Sequence, residues 1–191
     1  MKIALIGSHG IGKTTLCYEL AARLKRQDRV VELVTEVARR CPLPINRDTT
    51  LQAQAWILHS QVAAELAAAA EGDVVICDRA VLDNYAYLVH QVGRQPAYDA
   101  LVGEWLGTYD ALIKVPIVDP PSFDGRRDVS GEFQAAIDRT IDELVAAFGV
   151  ACHRLEPSRR GAWVDDVLRA AGLPLHPPQI DLFRGGEASV A

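Results

Sequence analysis

Residues 2–16 of the chain read KIALIGSHGIGKTTL, and this stretch decides the fold. Its middle part, Gly7-Ser8-His9-Gly10-Ile11-Gly12-Lys13-Thr14, fits the pattern G-x-x-x-x-G-K-[ST] at every fixed position. An apolar run typical of a buried strand precedes the pattern, and a helix-forming run to Arg26 follows it. Because the pattern requires this strand–loop–helix context, a chance glycine-rich turn is the weaker interpretation. The stretch predicts a nucleoside-triphosphate site.

The residue types of this loop, which we call the phosphate loop, suit a polyphosphate. Its glycines let the backbone turn tightly and leave N–H groups facing the anion. The helix beginning near Lys13 adds its positive end. Lys13 can reach the β- and γ-phosphates, and the Thr14 hydroxyl can ligate Mg²⁺. We therefore predict ATP and Mg²⁺ as cofactors, bound by Gly7, Ser8, His9, Gly10, Ile11, Gly12, Lys13, Thr14 and Thr15.

The composition is ordinary for a soluble globular protein of one domain, with 191 residues, 49% of them hydrophobic and 24% charged. The net charge of −5 argues against bulk nucleic-acid binding, although it allows a local arginine cluster. The four cysteines show no C-x-x-C spacing, so neither zinc nor a disulfide framework is indicated. With no long apolar run and no signal-peptide pattern, we expect a cytoplasmic protein with no membrane partner.

Strand and helix patterns alternate along the chain, which predicts an α/β fold with a five-stranded parallel sheet between helices, a three-layer α/β/α P-loop NTPase. We predict strands at 2–6, 30–34, 74–77, 111–117 and 150–155. We predict helices at 15–26, 81–92, 96–107, 132–148 and 158–171, the last with Ser158 as N-cap. We also predict a long helix that ends at about residue 71 and whose N-cap is offered by Asp48-Thr49-Thr50. The domain spans residues 1–172, with a lid at about 119–131 and an irregular C-terminal tail at 173–191.

Charged residues follow two of the predicted strands, and the carboxyl ends of parallel strands meet at one edge of a sheet. Asp78, after the third strand, fits an Mg²⁺-linked carboxylate, and Arg79 beside it fits a guanidinium that binds phosphate. Glu36, after the second strand, is the candidate base that orients an acceptor hydroxyl. The alternative interpretations are a turn aspartate, a surface ion pair and a solvated glutamate at a helix start.

Other arginines are candidates because of their position. Arg39 follows Glu36 by three residues and shares its site if this turn is helical. Arg126 and Arg127 lie in the predicted lid and could neutralise charge on the phosphates in the transition state. A charged, solvated loop is the alternative for this pair.

The long second helix offers polar candidates for the acceptor. Gln54 and Gln61 are seven residues apart and therefore share a face, where they could hydrogen-bond a base or amide. Tyr85, in the next helix, could stack on the acceptor. Ordinary packing or surface exposure is the alternative for all three. The apolar positions that follow one face of the long helix are Leu51, Ala55, Leu58, Val62 and Leu66.

Together these residues resemble the AAA_28-type P-loop kinase-like family, whose relatives include the ribosylnicotinamide kinase domain of NadR-type proteins and, more distantly, thymidylate and deoxynucleoside kinases. The resemblance covers roughly residues 2–155. Besides the phosphate loop, it rests on Glu36-Val37-Ala38-Arg39, Gln54, Gln61, Cys77-Asp78-Arg79, Asp124-Gly125-Arg126-Arg127, Phe133-Gln134 and Ile137-Asp138.

The resemblance implies a nucleoside- or nucleotide-kinase-like fold and phosphoryl transfer from ATP. It assigns Glu36 to activating or positioning the acceptor, Asp78 and Arg79 to Mg²⁺ and phosphate, and Arg126 or Arg127 to the donor phosphates. It also allows a homodimer. No motif fixes the acceptor, since the chain has neither a complete thymidylate-kinase signature nor an adenylyltransferase domain.

The expected function is that of a small-molecule kinase acting on a nucleoside, nucleotide or related metabolite. One alternative is an NTP-hydrolysing switch or regulatory ATPase without a small-molecule acceptor. A polynucleotide 5′-end kinase is another, and it needs a basic groove built from residues such as Arg39, Arg40, Arg47 and Arg94. A kinase requires an enclosed acceptor pocket beside Glu36, whereas a switch requires an exposed patch there.

Overall fold

The strands of the protein form one parallel sheet in a computed structural model that describes residues 1–45, 49–118 and 131–177. Within these ranges the sheet contains Lys2–Ile6 (β1), Val31–Val34 (β2), Val74–Asp78 (β3), Ala111–Lys114 (β4) and His153–Arg154 (β5). Their order is β2-β3-β1-β4-β5. The central strand β1 therefore lies between β3 and β4, and its carboxyl end opens directly into the phosphate loop.

Helices cover both faces of this sheet. They are Lys13–Lys25 (α1), Leu51–Glu71 (α2), Val81–Val92 (α3), Pro96–Leu106 (α4), Gly131–Phe148 (α5) and Trp163–Ala170 (α6), with 3₁₀ helices at Val37–Arg40 and Pro157–Ala162. Side chains alternate along β1, so Ile3 and Leu5 pack with α1 and α6, whereas Ala4 and Ile6 pack with α2, α3 and α5. Two apolar layers thus enclose the sheet, and the predicted three-layer α/β/α fold is confirmed.

The end of the predicted domain differs from the sequence-based expectation. Strand β5 has only two residues, and the predicted helix at 158–171 is a 3₁₀ helix followed by α6. The backbone of Arg159 is not helical, and Ala162 stands at the N-cap of α6, so the assignment of Ser158 as N-cap was wrong. The Trp163 indole donates to the carbonyl of Glu156 at 2.8 Å, which fixes this turn.

The buried face of α2 also differs from the apolar pattern. Leu51 and Leu66 are 42% and 59% exposed, whereas Gln54, Gln61 and Glu65 are buried. The reason is that these polar side chains are hydrogen-bonded inside the protein, which removes most of the cost of burying them. The predicted sharing of one face by Gln54 and Gln61 is correct. The N-cap is Thr50, whose hydroxyl accepts from the Ala53 N–H at 3.2 Å.

The first residues of the predicted tail pack on α1. Leu173 is buried, and the carbonyls of Pro174 and Leu175 accept hydrogen bonds from Gln27 at 3.0 Å and Arg23 at 2.9 Å. Residues 178–191 lie outside the described residues, as do residues 119–130 of the predicted lid, including Arg126 and Arg127. Gly131 begins α5. Among the described helices, none combines the length and the apolar character that a membrane span needs.

Candidate active site

The phosphate loop joins β1 to α1, and its backbone has two positions, Gly7 and Gly12, that favour glycine. Gly7 has a φ of +138°, and a Cβ there would lie 2.5 Å from Ile11 Cδ1 and 2.8 Å from the carbonyl oxygen of Val115. Gly12 has a φ of +87° and is the N-cap of α1 without a side-chain cap in the described chain. The first turn of α1 therefore offers its N–H groups to an anion.

Lys13 is buried at the start of α1, and its Nζ donates to the carbonyls of Gly7 at 2.7 Å and Ser8 at 2.5 Å. Burial disfavours the ammonium, Arg79 repels it, and the pKa of Lys13 is lowered from 10.5 to about 8. Nearby carboxylates act in the opposite direction but do not outweigh burial. An anionic phosphate beside Nζ would stabilise the charged form and raise this pKa.

We expect the affinity for ATP to fall as the pH rises through about 8. Above this pH the Lys13 amine is neutral in the free protein, so binding must take up a proton, and Kd should rise by at most about tenfold per pH unit. Below this pH the ammonium is already present and the dependence should vanish. Calorimetric titrations of ATP from about pH 7 to pH 9.5 measure this change. A flat Kd over that range would contradict the assignment of Lys13 to the phosphates.

Thr14 and Asp78 meet at the carboxyl edge of the sheet. The Thr14 hydroxyl donates to Asp78 Oδ2 at 2.5 Å, and Asp78 is paired in register with Leu5 just before the phosphate loop. A hydroxyl and a carboxylate oxygen in contact are hard oxygen donors of the kind that Mg²⁺ prefers. The pair therefore fits the predicted metal site beside the phosphates.

Glu36 lies between two guanidinium groups. Arg79 donates to Glu36 Oε1 through Nε at 2.9 Å, with Nη2 at 2.8 Å from the same oxygen. Arg39 Nε donates to Glu36 Oε2 at 2.9 Å, because the 3₁₀ helix Val37–Arg40 turns Arg39 back toward Glu36. Burial acts to lower the pKa of Arg79, but Glu36 and other neighbours outweigh it and the net shift is upward. The Arg79 guanidinium therefore stays charged.

Arg79 carries two unusual features. Its backbone has a φ of +93°, which costs a residue with a side chain roughly 1–3 kcal/mol. Its side chain is 5% exposed, and its Nη1 has no hydrogen-bond partner among the described residues. A buried guanidinium donor without a partner suits an anionic ligand. The guanidinium also lies 5.2 Å from the centre of the Tyr87 ring.

Two adjoining clefts meet at these residues. The phosphate cleft, of about 690 Å³ with its open mouth included, is lined by residues 9–15 and Asp78. The side cleft, of about 580 Å³ on the same measure, is lined by Ala38, Ile45, Gln54, Ile57, Asn84 and Tyr87. Both clefts share one wall, which consists of His9, Glu36, Arg39 and Arg79. Gly7 and Ser8 stand behind the phosphate cleft and hold Lys13.

Of the three residues predicted to contact the acceptor, one lines the side cleft and two do not. Gln54 lines the side cleft, while its Nε2 donates to the Thr49 hydroxyl at 2.7 Å. Gln61 is buried behind the cleft, where its Nε2 donates to the carbonyl of Arg79 at 3.1 Å. Tyr85 is 0% exposed and its hydroxyl bonds to Asp99. Neither Gln61 nor Tyr85 lines either cleft, so their contact with an acceptor stays a prediction that this geometry does not support.

Sequence reasoning missed residues on α3. Tyr87 and Asn84 line the side cleft, and the Tyr87 hydroxyl lies 3.2 Å from His9 Nδ1. Asp83 accepts from the N–H of Gly7 at 2.8 Å and of Ala80 at 2.9 Å, so it ties the phosphate loop to the turn after β3. Burial raises the pKa of Asp83, and Lys13 and Arg79 oppose this shift. The sequence signal that could have identified Asp83 was an acidic residue in the first turn of the predicted helix α3.

Helix α5 also holds the phosphate loop. Gln134 Nε2 donates to the carbonyl of His9 at 2.8 Å, and Asp138 Oδ1 accepts from the Ser8 N–H at 3.4 Å. Asp138 is itself held by Lys114 at 3.0 Å. Two residues of the Phe133-Gln134 and Ile137-Asp138 motifs therefore contact the loop backbone.

The strand order, the glycine loop and the Thr14–Asp78 pair define a P-loop NTPase fold of the three-layer α/β/α type. Residues 2–163 match the model of the AAA_28 family, described as an AAA domain. Since this match covers most of the chain, the protein belongs to the AAA_28 family. No curated protein sequence is significantly similar to the chain.

Solved structures with this fold include NadR in complex with NAD and AMP-PNP, with a TM-score of 0.69 at 17% identity over 94% of this chain. The chain spans about half of NadR, 51% of its length. Deoxyadenosine kinase from M. mycoides with bound dATP gives 0.60 at 16% identity, covering 88% of this chain and 97% of that one. Thymidylate kinase from Ehrlichia chaffeensis gives 0.61 at 19% identity, covering 88% and 98%. At these identities the likeness shows the fold.

Proposed function

We propose that the protein is a kinase that transfers the γ-phosphoryl group of ATP·Mg²⁺ to a small-molecule acceptor, a nucleoside, nucleotide or related metabolite. The observation that carries this proposal is the wall shared by the phosphate cleft and the side cleft. A donor in one cleft and an acceptor in the other would bring their reacting atoms together at Glu36 and Arg79. Such positioning is most of what phosphoryl transfer requires from a protein.

The donor side uses the phosphate loop. Lys13 and the first N–H groups of α1 hold the β- and γ-phosphates. Thr14 and Asp78 are the residues that would hold Mg²⁺, and a bound Mg²⁺ ion neutralises charge on the phosphates. Asp83 and Gln134 keep the loop in place through its backbone.

The acceptor side uses the shared wall. Glu36 accepts the hydrogen bond of the acceptor hydroxyl and takes its proton as the hydroxyl oxygen attacks the γ-phosphorus. The bond from this phosphorus to the β–γ bridging oxygen breaks, and ADP leaves with the electron pair. Arg79 lines both clefts and supplies positive charge to the transferred group, while its Nε and Nη2 hold Glu36. Asn84 and Tyr87 form the far side of the acceptor pocket.

The shape of the site favours a kinase over a switch. Glu36 faces a cleft with apolar walls at Ile45 and Ile57, as an acceptor pocket requires, whereas a switch needs an exposed patch. The candidate arginines within the described residues do not line one groove for a polynucleotide end, since Arg40 lines neither cleft. Arg94 binds Asp99 at 3.0 Å, outside both clefts, Arg39 is bound to Glu36, and Arg47 lies outside the described residues.

The proposal predicts that one acceptor will stimulate ADP release from ATP·Mg²⁺. The measurement uses the purified protein alone and against a panel of nucleosides, nucleotides and ribosylnicotinamide. A true acceptor should raise the rate by about tenfold or more over hydrolysis by water, because it replaces water in a pocket built to orient it. A phosphorylated product must appear in the same amount as ADP. Slow turnover that no compound stimulates would favour the switch instead.

A further inference from the structure

Glu65 is a fully buried carboxylate that lines neither cleft of the candidate site. Its Oε1 accepts from Gln61 Nε2 at 2.9 Å and from the Tyr109 hydroxyl at 2.8 Å. Its Oε2 accepts from Lys2 Nζ at 2.8 Å and from the Trp105 indole N–H at 2.7 Å. Four donors from three different parts of the chain therefore satisfy one charge in the core.

Two of these donors, Gln61 and Tyr109, also form hydrogen bonds with the backbone on either side of Ala80, in the turn that contains Arg79. The second N–H of Gln61 Nε2 donates to the carbonyl of Arg79 at 3.1 Å. The Tyr109 hydroxyl accepts from the N–H of Val81 at 3.0 Å. Through Gln61 and Tyr109, the Glu65 carboxylate thus holds the backbone on both sides of Ala80, the residue that follows Arg79.

We propose that Glu65, acting through Gln61 and Tyr109, is a positioning residue that fixes the backbone of Arg79 and thereby aims its guanidinium. The proposal rests on the function proposed above for Arg79. A φ of +93° is rarely adopted by a residue with a side chain, so the surrounding structure must hold it. If the carbonyl of Arg79 were released, relaxation of the backbone would swing the guanidinium away from Glu36 and the shared wall.

The test replaces Gln61 with methionine, which keeps the volume of the side chain and removes its hydrogen bonds. The matched control is Gln27→Met, because Gln27 is also a buried glutamine that donates to a backbone carbonyl, that of Pro174, far from Arg79. The first readout is the exchange of the Arg79 Nε–H with solvent by NMR, assigned through its loss in Arg79→Lys. We expect exchange to speed up by about tenfold or more in Gln61→Met and to stay unchanged in Gln27→Met.

A second readout separates positioning from general stability. In a double-mutant cycle with Arg79→Ala, the fall in kcat caused by Gln61→Met, about 10- to 100-fold, should disappear once Arg79 is absent. Tyr109→Phe serves as a second variant in case Gln61→Met does not fold, and it should speed the same exchange. The NMR signal of the Trp105 indole N–H, which donates to Glu65, reports whether the core is intact.

Unchanged Arg79 exchange in folded Gln61→Met and Tyr109→Phe would overturn the inference. Equal, additive losses of kcat in both backgrounds would do the same. The exchange measurement needs no acceptor and no turnover, so it gives an answer even if the protein proves not to be a kinase. Failure of the proposed function would show instead as missing stimulation by every acceptor.

Discussion

The Lys13→Ala protein should lose at least about 100-fold of any ATP turnover and most of its affinity for ATP, because Lys13 is the only lysine that lines the phosphate cleft among the described residues. The fold should tolerate the change. Burial of the ammonium is costly, as the pKa lowered to about 8 shows, so its removal offsets the loss of bonds to the Gly7 and Ser8 carbonyls. ADP release measures the turnover, calorimetric titration measures the affinity for ATP, and thermal unfolding measures the stability of the fold.

Lys25→Ala is the matched control for this variant. Lys25 lies on the same helix, in its last turn, and is exposed. It should leave turnover and ATP affinity unchanged. If Lys13→Ala retained the wild-type affinity for ATP, the phosphate cleft would not be the nucleotide site, whatever the motif indicates.

Glu36→Gln should lower kcat with the true acceptor by about 100- to 10,000-fold, because glutamine cannot take the proton of the hydroxyl. The KM for ATP should change little, since the phosphate loop is untouched. The variant should also unfold more easily, by about 3 kcal/mol, because the buried Arg79 loses its charged partner while keeping one oxygen acceptor. Steady-state kinetics with both substrates and denaturant unfolding test the two effects.

Glu32→Gln is the control for Glu36→Gln, because Glu32 lies on the same chain segment in β2 and lines neither cleft. It should leave kcat unchanged. If Glu36→Gln kept a wild-type kcat while losing stability, Glu36 would hold Arg79 in place but would not act on the acceptor. That outcome would move the proton transfer to another group of the shared wall.

Much of the candidate site could be predicted because it depends on local patterns and on one property of parallel sheets. The phosphate loop follows from its glycines, and Glu36 and Asp78 follow from the ends of two strands. The prediction that Arg39 shares the site of Glu36 required a helical turn after Glu36, and the 3₁₀ helix Val37–Arg40 is such a turn. None of these inferences required knowledge of how the helices pack.

The acceptor contacts could not be predicted because they depend on helix rotation. Helix α3 buries every residue from Val81 to Ala86, including the polar Asp83 and Asn84, so polarity in its sequence does not separate buried positions from those that line the cleft. Tyr85 and Tyr87 are two residues apart and point in nearly opposite directions, and only the packed structure tells which one lines the side cleft. Periodicity gave no reason to prefer Tyr87.

The buried face of α2 could not be predicted from the sequence for a different reason. Its alanine-rich sequence makes every face weakly apolar, and the face that is buried carries Gln54, Gln61 and Glu65. Partners for these side chains come from remote parts of the chain, such as Lys2 and Trp105. Single-sequence patterns contain no information about such long-range pairs.

The left-handed backbone at Arg79 implies a conflict between two selective pressures. Relief of backbone strain alone would favour glycine at this position, since glycine adopts a φ of +93° without strain. Glycine would, however, remove the charge that pairs with Glu36 and the side chain that lines both clefts. Under the proposed function, an arginine at this position gives up some folding stability for activity, and we expect stabilising substitutions found there by screening to inactivate the protein.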